Sequence, residues 1–340
     1  MQKRIRDYGY TVGTMPVGKR NKITDVKGVL VGHSTIKTEK YNTGCTVIVP
    51  CEHNIFDKKL VAATFVHNGY GKTAGTIQVD ELGTLETPIA LTNTLNVGLV
   101  ADAVIEYTAD RCKREGINVR SMNPVVGECN DSALSTIVDR PVKKENVFEA
   151  FESASEDFEE GNVGAGTGTR CYGFKGGIGS ASRIVELDDK EYTVGVLVQS
   201  NYGATRDLMI NGKHLEEEVI KEVKGEECDK GSIMVVVATD IPLTSRQLKR
   251  VIKRASVGIA RLGSYIGHGS GEVFLGFSTA NVIDSKSEIM SINCINEGCI
   301  DKLFRATGEA TEEAILNSMV CATPAYELSG KLIHSLAEFI

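Results

Sequence analysis

One stretch of this chain leaves little choice of conformation: Gly231-Ser232-Ile233-Met234-Val235-Val236-Val237-Ala238-Thr239-Asp240. Its run of β-branched and apolar residues predicts a fully buried strand. Ser232 stands at the first position of that strand, with Gly231 before it. The preceding stretch, Lys221-Glu222-Val223-Lys224-Gly225-Glu226-Glu227-Cys228-Asp229-Lys230, is charged, has little core-forming power and is expected to be a flexible loop. A junction between a mobile loop and a rigid strand can position a nucleophile, and the loop can be cut without dismantling the core. Such junctions also carry Ser or Gly merely as turn chemistry, so a functional reading needs support from elsewhere in the chain.

The 340 residues can bury a large core, as one large domain or two smaller ones. No internal repeat, low-complexity tract or clear linker divides them, so a single domain over 1–340 is expected. A net charge of −7 argues against a nucleic-acid or anionic-membrane partner, since both require a basic face. No apolar run approaches membrane-spanning length, and the polar opening Met1-Gln2-Lys3-Arg4-Ile5-Arg6-Asp7-Tyr8 is not a signal peptide. The nine cysteines are odd in number, scattered and free of any CxxC pair. They predict reduced thiols in a cytoplasmic protein, mostly as small core residues, and no zinc site.

Taken in order, the chain opens β-rich. Strand-like runs fall at Gly28–His33, Cys45–Pro50, Leu60–Val66 and Pro88–Asn93. His67-Asn68-Gly69-Tyr70-Gly71-Lys72-Thr73 contains Gly-Lys-Thr, but a phosphate-binding loop needs glycine where Val66 stands. From Asn96 the apolar period becomes helical, through Leu99, Val100, Ala103, Val104 and Tyr107 toward Gly116. A strand at Pro124–Gly127 delivers Glu128-Cys129-Asn130-Asp131, whose polar groups either line a site or form a turn. Val147, Phe148, Phe151, Ala154 and Phe158 predict a second amphipathic helix.

The glycine-dense segment from Gly161 to Gly179 lacks the third glycine of a dinucleotide fingerprint and fits a loop whose backbone approaches a ligand or another chain. Strands follow at Ser182–Leu187 and Tyr192–Asn201, the second ending in an amide that could donate to an oxyanion or simply sit in a turn. Thr244-x-x-Gln247 is a capping box, and the stripe from Leu248 to Leu262 predicts one helix capped at Gly263. Ser270 and Glu272 lead into the strand Val273–Phe277 and, two residues apart, project to one side. Helices are expected over about 301–320 and near 326–339.

Several of these pieces, in this order, resemble the P1 family of serine aminopeptidases: the L-aminopeptidase/D-amidase/esterase and β-peptidyl aminopeptidase type with the DmpA/BapA fold. The likeness spans nearly the whole chain. It runs from Arg6-Asp7-Tyr8-Gly9, through Asn21-Ile23-Thr24-Asp25, Gly75-Thr76 to Thr92-Asn93-Thr94, and Pro124-Val125-Val126-Gly127-Glu128. It continues through Gly179-Ser180-Ala181-Ser182-Arg183 and Ser200-Asn201-Tyr202-Gly203. Its most specific pieces are Gly231-Ser232-Ile233 with Ala238-Thr239-Asp240-Pro242-Leu243, and Gly269-Ser270-Gly271-Glu272.

The resemblance implies an α+β, four-layer αββα sandwich shared with ornithine acetyltransferases, and commonly a homotetramer. It implies self-cleavage between Gly231 and Ser232, giving an α chain of 1–231 and a β chain of 232–340. Ser232 would be the nucleophile, Ser270 and Glu272 its relay, Asn201 part of the oxyanion hole and Glu128 the carboxylate that holds a substrate's free amine. The expected substrates are short peptides, aminoacyl amides or esters, with no metal or cofactor. Asn130 departs from the family pattern, where a tyrosine helps at the nucleophile or oxyanion; asparagine is shorter and does not titrate. Two other readings stand beside this one. The first is acyl transfer on the same fold, whose known members use threonine where Ser232 stands. The second is a silent binding protein that does not process itself.

Overall fold

The structure, a computed structural model, describes residues 2–225 and 227–340. Its first half contains β1 (Leu30–Lys37), β2 (Asn42–Val49), β3 (Lys58–Gly69), α1 (Thr76–Leu82), β4 (Thr84–Leu85), β5 (Ile89–Asn93), α2 (Val97–Arg114), β6 (Val125–Cys129) and α3 (Lys144–Glu152). A short hairpin, β7 (Arg170–Cys171) and β8 (Phe174–Lys175), precedes the long pair β9 (Ile178–Leu187) and β10 (Lys190–Asn201). After a second hairpin, β11 (Met209–Ile210) and β12 (Lys213–His214), come α4 (Glu217–Val223), β13 (Gly231–Thr239), α5 (Ser245–Ile252) and α6 (Ala255–Arg261). The chain finishes with β14 (Ser270–Asp284), α7 (Ile300–Val320), β15 (Ala325–Tyr326) and β16 (Leu332–Ile333).

Two sheets hold the fold together. The smaller has the order β1-β2-β5-β6 and the larger β4-β3-β14-β13-β10-β9. The expected buried strand is β13, and its alternation explains the layering. Ile233, Val235 and Val237 point into a core shared with Leu248, Val251, Ile259, Ala310 and Met319 of α5, α6 and α7. Met234, Val236 and Ala238 point the other way, against Val31, Ile48, Ile89 and Val125 of the smaller sheet. The far face of that sheet, through Val47, Ala90 and Val126, is covered by Val100, Val104, Val147 and Phe151 of α2 and α3. The result is the expected sandwich of helices, two sheets and helices. A strand covered on both faces has no need of polar residues, which is why β13 reads as an unbroken apolar run.

Four expectations need correction. The stripe from Leu248 to Leu262 forms two helices: Ser256 Oγ bonds the carbonyl of Lys253, and the chain turns before α6. The second segment then presents Gly258 to α7, where a Cβ would stand 2.7 Å from the carbonyl oxygen of Gly308. α3 stops at Glu152, before Ala154 and Phe158, because Val31 and Ser155 exchange backbone bonds in a bridge. No helix forms over 326–339. β15 and β16 pair antiparallel around Gly330 at φ 83°, a left-handed conformation that ends any helix there, and only Leu336–Glu338 makes a 3₁₀ turn.

The fourth correction concerns the charged stretch before Gly231. It begins in α4 and buries Asp229, while Glu226 lies outside the described residues. The glycine-dense segment approaches its own chain: a Cβ on Gly177 would stand 2.1 Å from the carbonyl oxygen of Gly161.

Candidate active site

The site is assembled at one end of β13. In the antiparallel ladder with β10, Ser232 lies opposite Asn201; in the parallel ladder with β14, it lies opposite Gly271, and Gly231 lies opposite Ser270. Ser270 and Glu272 therefore flank the residue that faces Ser232. The ladder runs through the Gly231–Ser232 peptide, with the Gly231 N–H donating to the Gly269 carbonyl at 3.2 Å. Gly231 holds φ 123°, a backbone region open in practice only to glycine.

Alternation places Ser270 and Glu272 on one side of β14, as the two-residue spacing predicts, and Ser270 Oγ donates a hydrogen bond to Glu272 Oε1. Both side chains are buried, and Glu272 Oε2 has no partner among the described residues. Burial pushes the Glu272 carboxyl up to about 7; the nearby charge of Asp229 adds to the rise, and the Ser270 hydroxyl opposes it. A carboxyl poised there changes charge near neutral pH and suits acid–base work.

Asn201 closes the other side. Its Oδ1 accepts from the backbone N–H of Arg170 at 3.0 Å. That bond fixes which end of the amide is which, because an N–H requires the oxygen, so the NH₂ is left as the donor. Asn201 and Gly231 line a cleft of about 210 Å³ together with Asn130, Ser132, Gly173, Gly203 and Gly269. Asn130 is exposed at this cleft, and its Oδ1 accepts from the Ser132 N–H at 3.0 Å in a turn.

Glu128 comes from the other sheet, near the end of β6. It is buried; its Oε1 accepts from the Lys72 N–H at 2.9 Å and its Oε2 from Thr94 Oγ1. No lysine or arginine pairs with it among the described residues. The next residue, Cys129, joins the sheets: its thiol lies 3.3 Å from the Gln199 carbonyl oxygen and 3.6 Å from that of Ser232. Burial drives that thiol well above its ordinary value, so it stays protonated and able to donate.

The structure thus gathers Gly231, Ser232, Ser270, Glu272 and Asn201 on three neighbouring strands, with Asn130 at the cleft and Glu128 on the facing sheet. Sequence reasoning missed Asn68, whose amide donates to the carbonyls of Gly267, His268 and Ser270. It also missed Asp229 and the Arg170 N–H. Backbone donors and contacts between distant loops leave no pattern in a sequence, and only the burial of an acid inside a charged stretch marks Asp229.

Comparison with known proteins identifies the family. A family model described as Peptidase family S58 matches residues 21–333. Beta-peptidyl aminopeptidase BapA of Sphingosinicella xenopeptidilytica is 39% identical over 344 residues, covering 94% of this chain and 85% of the relative. A solved structure of a Pyrococcus horikoshii OT3 protein is 47% identical, with a TM-score of 0.92 and coverage of 98% of this chain and 96% of that one. A Burkholderia sp. beta-aminopeptidase is 38% identical with a TM-score of 0.90, covering 98% and 96% of the two chains. The L-aminopeptidase D-Ala-esterase/amidase of Ochrobactrum anthropi, described as a variant of the Ntn-hydrolase fold, is 33% identical with a TM-score of 0.90, covering 98% and 95%. Fold and relatives agree: the chain belongs to Peptidase family S58, as an aminopeptidase/amidase.

Proposed function

We propose that this peptidase matures by cutting itself between Gly231 and Ser232 and then uses Ser232 as an N-terminal nucleophile. The observation that carries the reading is the Gly231–Ser232 peptide: a glycine in a conformation other residues avoid, followed by a serine on the strand that pairs with the one carrying the Ser270–Glu272 pair. In the first step Ser232 Oγ attacks the Gly231 carbonyl carbon. The C–N bond breaks and an ester replaces the amide, with the amine of Ser232 freed. Water then hydrolyses the ester, leaving a carboxylate on Gly231 and a free α-amino group on Ser232.

That amino group, with an ordinary pKa of about 7.7–8.0, can take the Oγ proton near neutral pH. Ser232 Oγ then attacks the substrate carbonyl, and the Asn201 NH₂ donates to the developing oxyanion. The leaving amine takes the proton, and water releases the acyl group. Ser270 and Glu272 act as a relay that polarises Ser232. The buried Glu128 carboxylate holds the substrate's free amine, and Asn130 lines the substrate cleft.

The substrates on this reading are short peptides, aminoacyl amides or esters, including the β-peptidyl class of the curated relatives. The reading uses no metal or cofactor. Nine free cysteines suit a reduced, cytoplasmic setting, and no helix among the described residues is long and apolar enough to cross a membrane. A homotetramer is the assembly we expect from the family resemblance. Intact mass and a denaturing gel, run beside Ser232→Ala, test the central claim. Two fragments beginning at Met1 and Ser232, absent in the inactive variant, are expected. A wild-type chain that remains whole while hydrolysing aminoacyl amides would overturn it.

A further inference from the structure

Asp229 is buried among exposed neighbours, two residues before the proposed cut. Its Oδ2 accepts from Ser264 Oγ and, at 3.1 Å, from the Ile266 N–H. Its own backbone N–H donates to the Tyr265 hydroxyl at 3.1 Å. Its carbonyl lies so close to Gly267 that a Cβ there would stand 2.0 Å from the oxygen. Ile266 holds φ 58°, a genuine outlier for a β-branched residue, so the loop keeps a strained turn at the point where Asp229 grips it. The Gly267 carbonyl accepts from the Ser270 N–H at 2.9 Å, which carries the grip on to the relay serine. A buried carboxylate without a cation partner among the described residues is costly for stability alone, which points to a positional role.

We propose that Asp229 is a positioning residue for self-cleavage, fixing the segment before Gly231–Ser232 to the loop that delivers Ser270. Without it, the scissile peptide and the Ser270–Glu272 pair would each be ordered but not in register with one another. The role belongs to the uncut chain. After cleavage Asp229 has no covalent hold on Ser232, while Ser232 stays opposite Gly271 in the ladder with β14 and the Asn68 amide keeps its bonds to Gly267, His268 and Ser270. The proposal rests on the self-cleavage reading above.

The experiment follows the rate of fragment appearance and, separately, turnover of an aminoacyl amide by fully cleaved protein. Asp229→Ala should slow cleavage about 10- to 100-fold, the factor that one or two hydrogen bonds to a charged group are worth. Turnover of its matured form, measured at pH 8 where Glu272 is ionised with or without the charge of Asp229, should stay within about threefold of wild type. Asp229→Asn keeps an acceptor oxygen and should restore cleavage to near the wild-type rate. Ser264→Ala removes one of the two bonds and should fall between, which keeps the test available if Asp229→Ala fails to fold. If wild type cleaves and the alanine variants cleave equally fast, the positioning role is overturned and the self-cleavage reading stands. Equal losses in cleavage and turnover would likewise reduce Asp229 to a structural residue. A wild-type chain that never cleaves would overturn the reading beneath it.

Discussion

The carbonyl oxygen of Asn201 stands 2.0 Å from where a Cβ on residue 231 would lie, so the backbone of Asn201 admits only glycine before Ser232. Gly231→Ala would add this overlap to a conformation that already disfavours a side chain by about 1–2 kcal/mol. The variant should accumulate as an uncut chain, with cleavage slowed at least about 100-fold, the factor for a loss of some 3 kcal/mol. A denaturing gel over time measures it; normal processing would mean that the peptide between residues 231 and 232 is not held as described.

The burial of Glu272 sets a pH dependence. Its carboxyl titrates near 7, so it is mostly protonated at pH 5 and ionised at pH 8. Only the ionised form accepts the Ser270 proton fully. Cleavage of the precursor should therefore rise with pH through about 7 and level off, and Glu272→Gln should be slow and flat across that range. Turnover by matured enzyme should show a second ionisation from the new α-amino group, at about 7.7–8.0. Rates followed in quench-flow samples between pH 5 and pH 9 separate the two.

Glu128 is held by a backbone N–H and a threonine hydroxyl, not by a cation. A carboxyl group with no cation partner among the described residues leaves room for an ammonium group. Glu128→Gln should raise KM for free-amine substrates by about 10- to 100-fold, the worth of one charge-assisted contact. N-blocked esters should be nearly unaffected. Equal changes for both substrate types would remove the amine-binding role.

Away from the site, Arg183 is wholly buried and bonds Glu313 Oε2 at 2.7 Å and Glu309 Oε2 at 3.3 Å. Arg183→Leu would leave Glu309 without a cation partner among the described residues and Glu313 with Arg6 alone, and should cost about 3–5 kcal/mol, read as a lower denaturant midpoint. Burial by itself would raise the Glu313 carboxyl, but Arg6, Arg183 and Asn21 together hold it below its ordinary value. Its contribution to stability is therefore complete above pH 4.5 and is lost as pH falls through the lower folded value. A stability–pH curve should decline on that acid side, and less steeply in Glu313→Gln.

Much of this was open to a reading of the residues. The apolar run of β13 and the two-residue spacing of Ser270 and Glu272 report local backbone geometry, so sequence reveals them directly. The pairing of β3 with β14 does not, because it joins residues about two hundred positions apart through backbone bonds that any side chain permits. Asn201 could be suspected, but its orientation depends on the Arg170 N–H, which carries no residue identity. The apolar spacing of Leu328, Leu332, Leu336 and Phe339 resembles a helix, yet one left-handed glycine, Gly330, turns that stretch back on itself. Local pattern yields to a single backbone angle there.

The order of the larger sheet bears on what self-cleavage would do to the molecule as an object. β14 and all of β13 but its first residue, which follow the proposed cut, lie between β3 and β10, which precede it. The younger fragment is thus clasped on both edges by the older one, like a page bound into the middle of a book. Breaking the chain at Gly231–Ser232 makes two new termini and changes no strand's neighbours. The fragments could part only by unzipping two full ladders in the core, so the pair should melt as one body. Mixing separately made halves should then fail to rebuild the enzyme at any useful rate. On this topology the covalent link is needed to fold the protein and is expendable once folding is done.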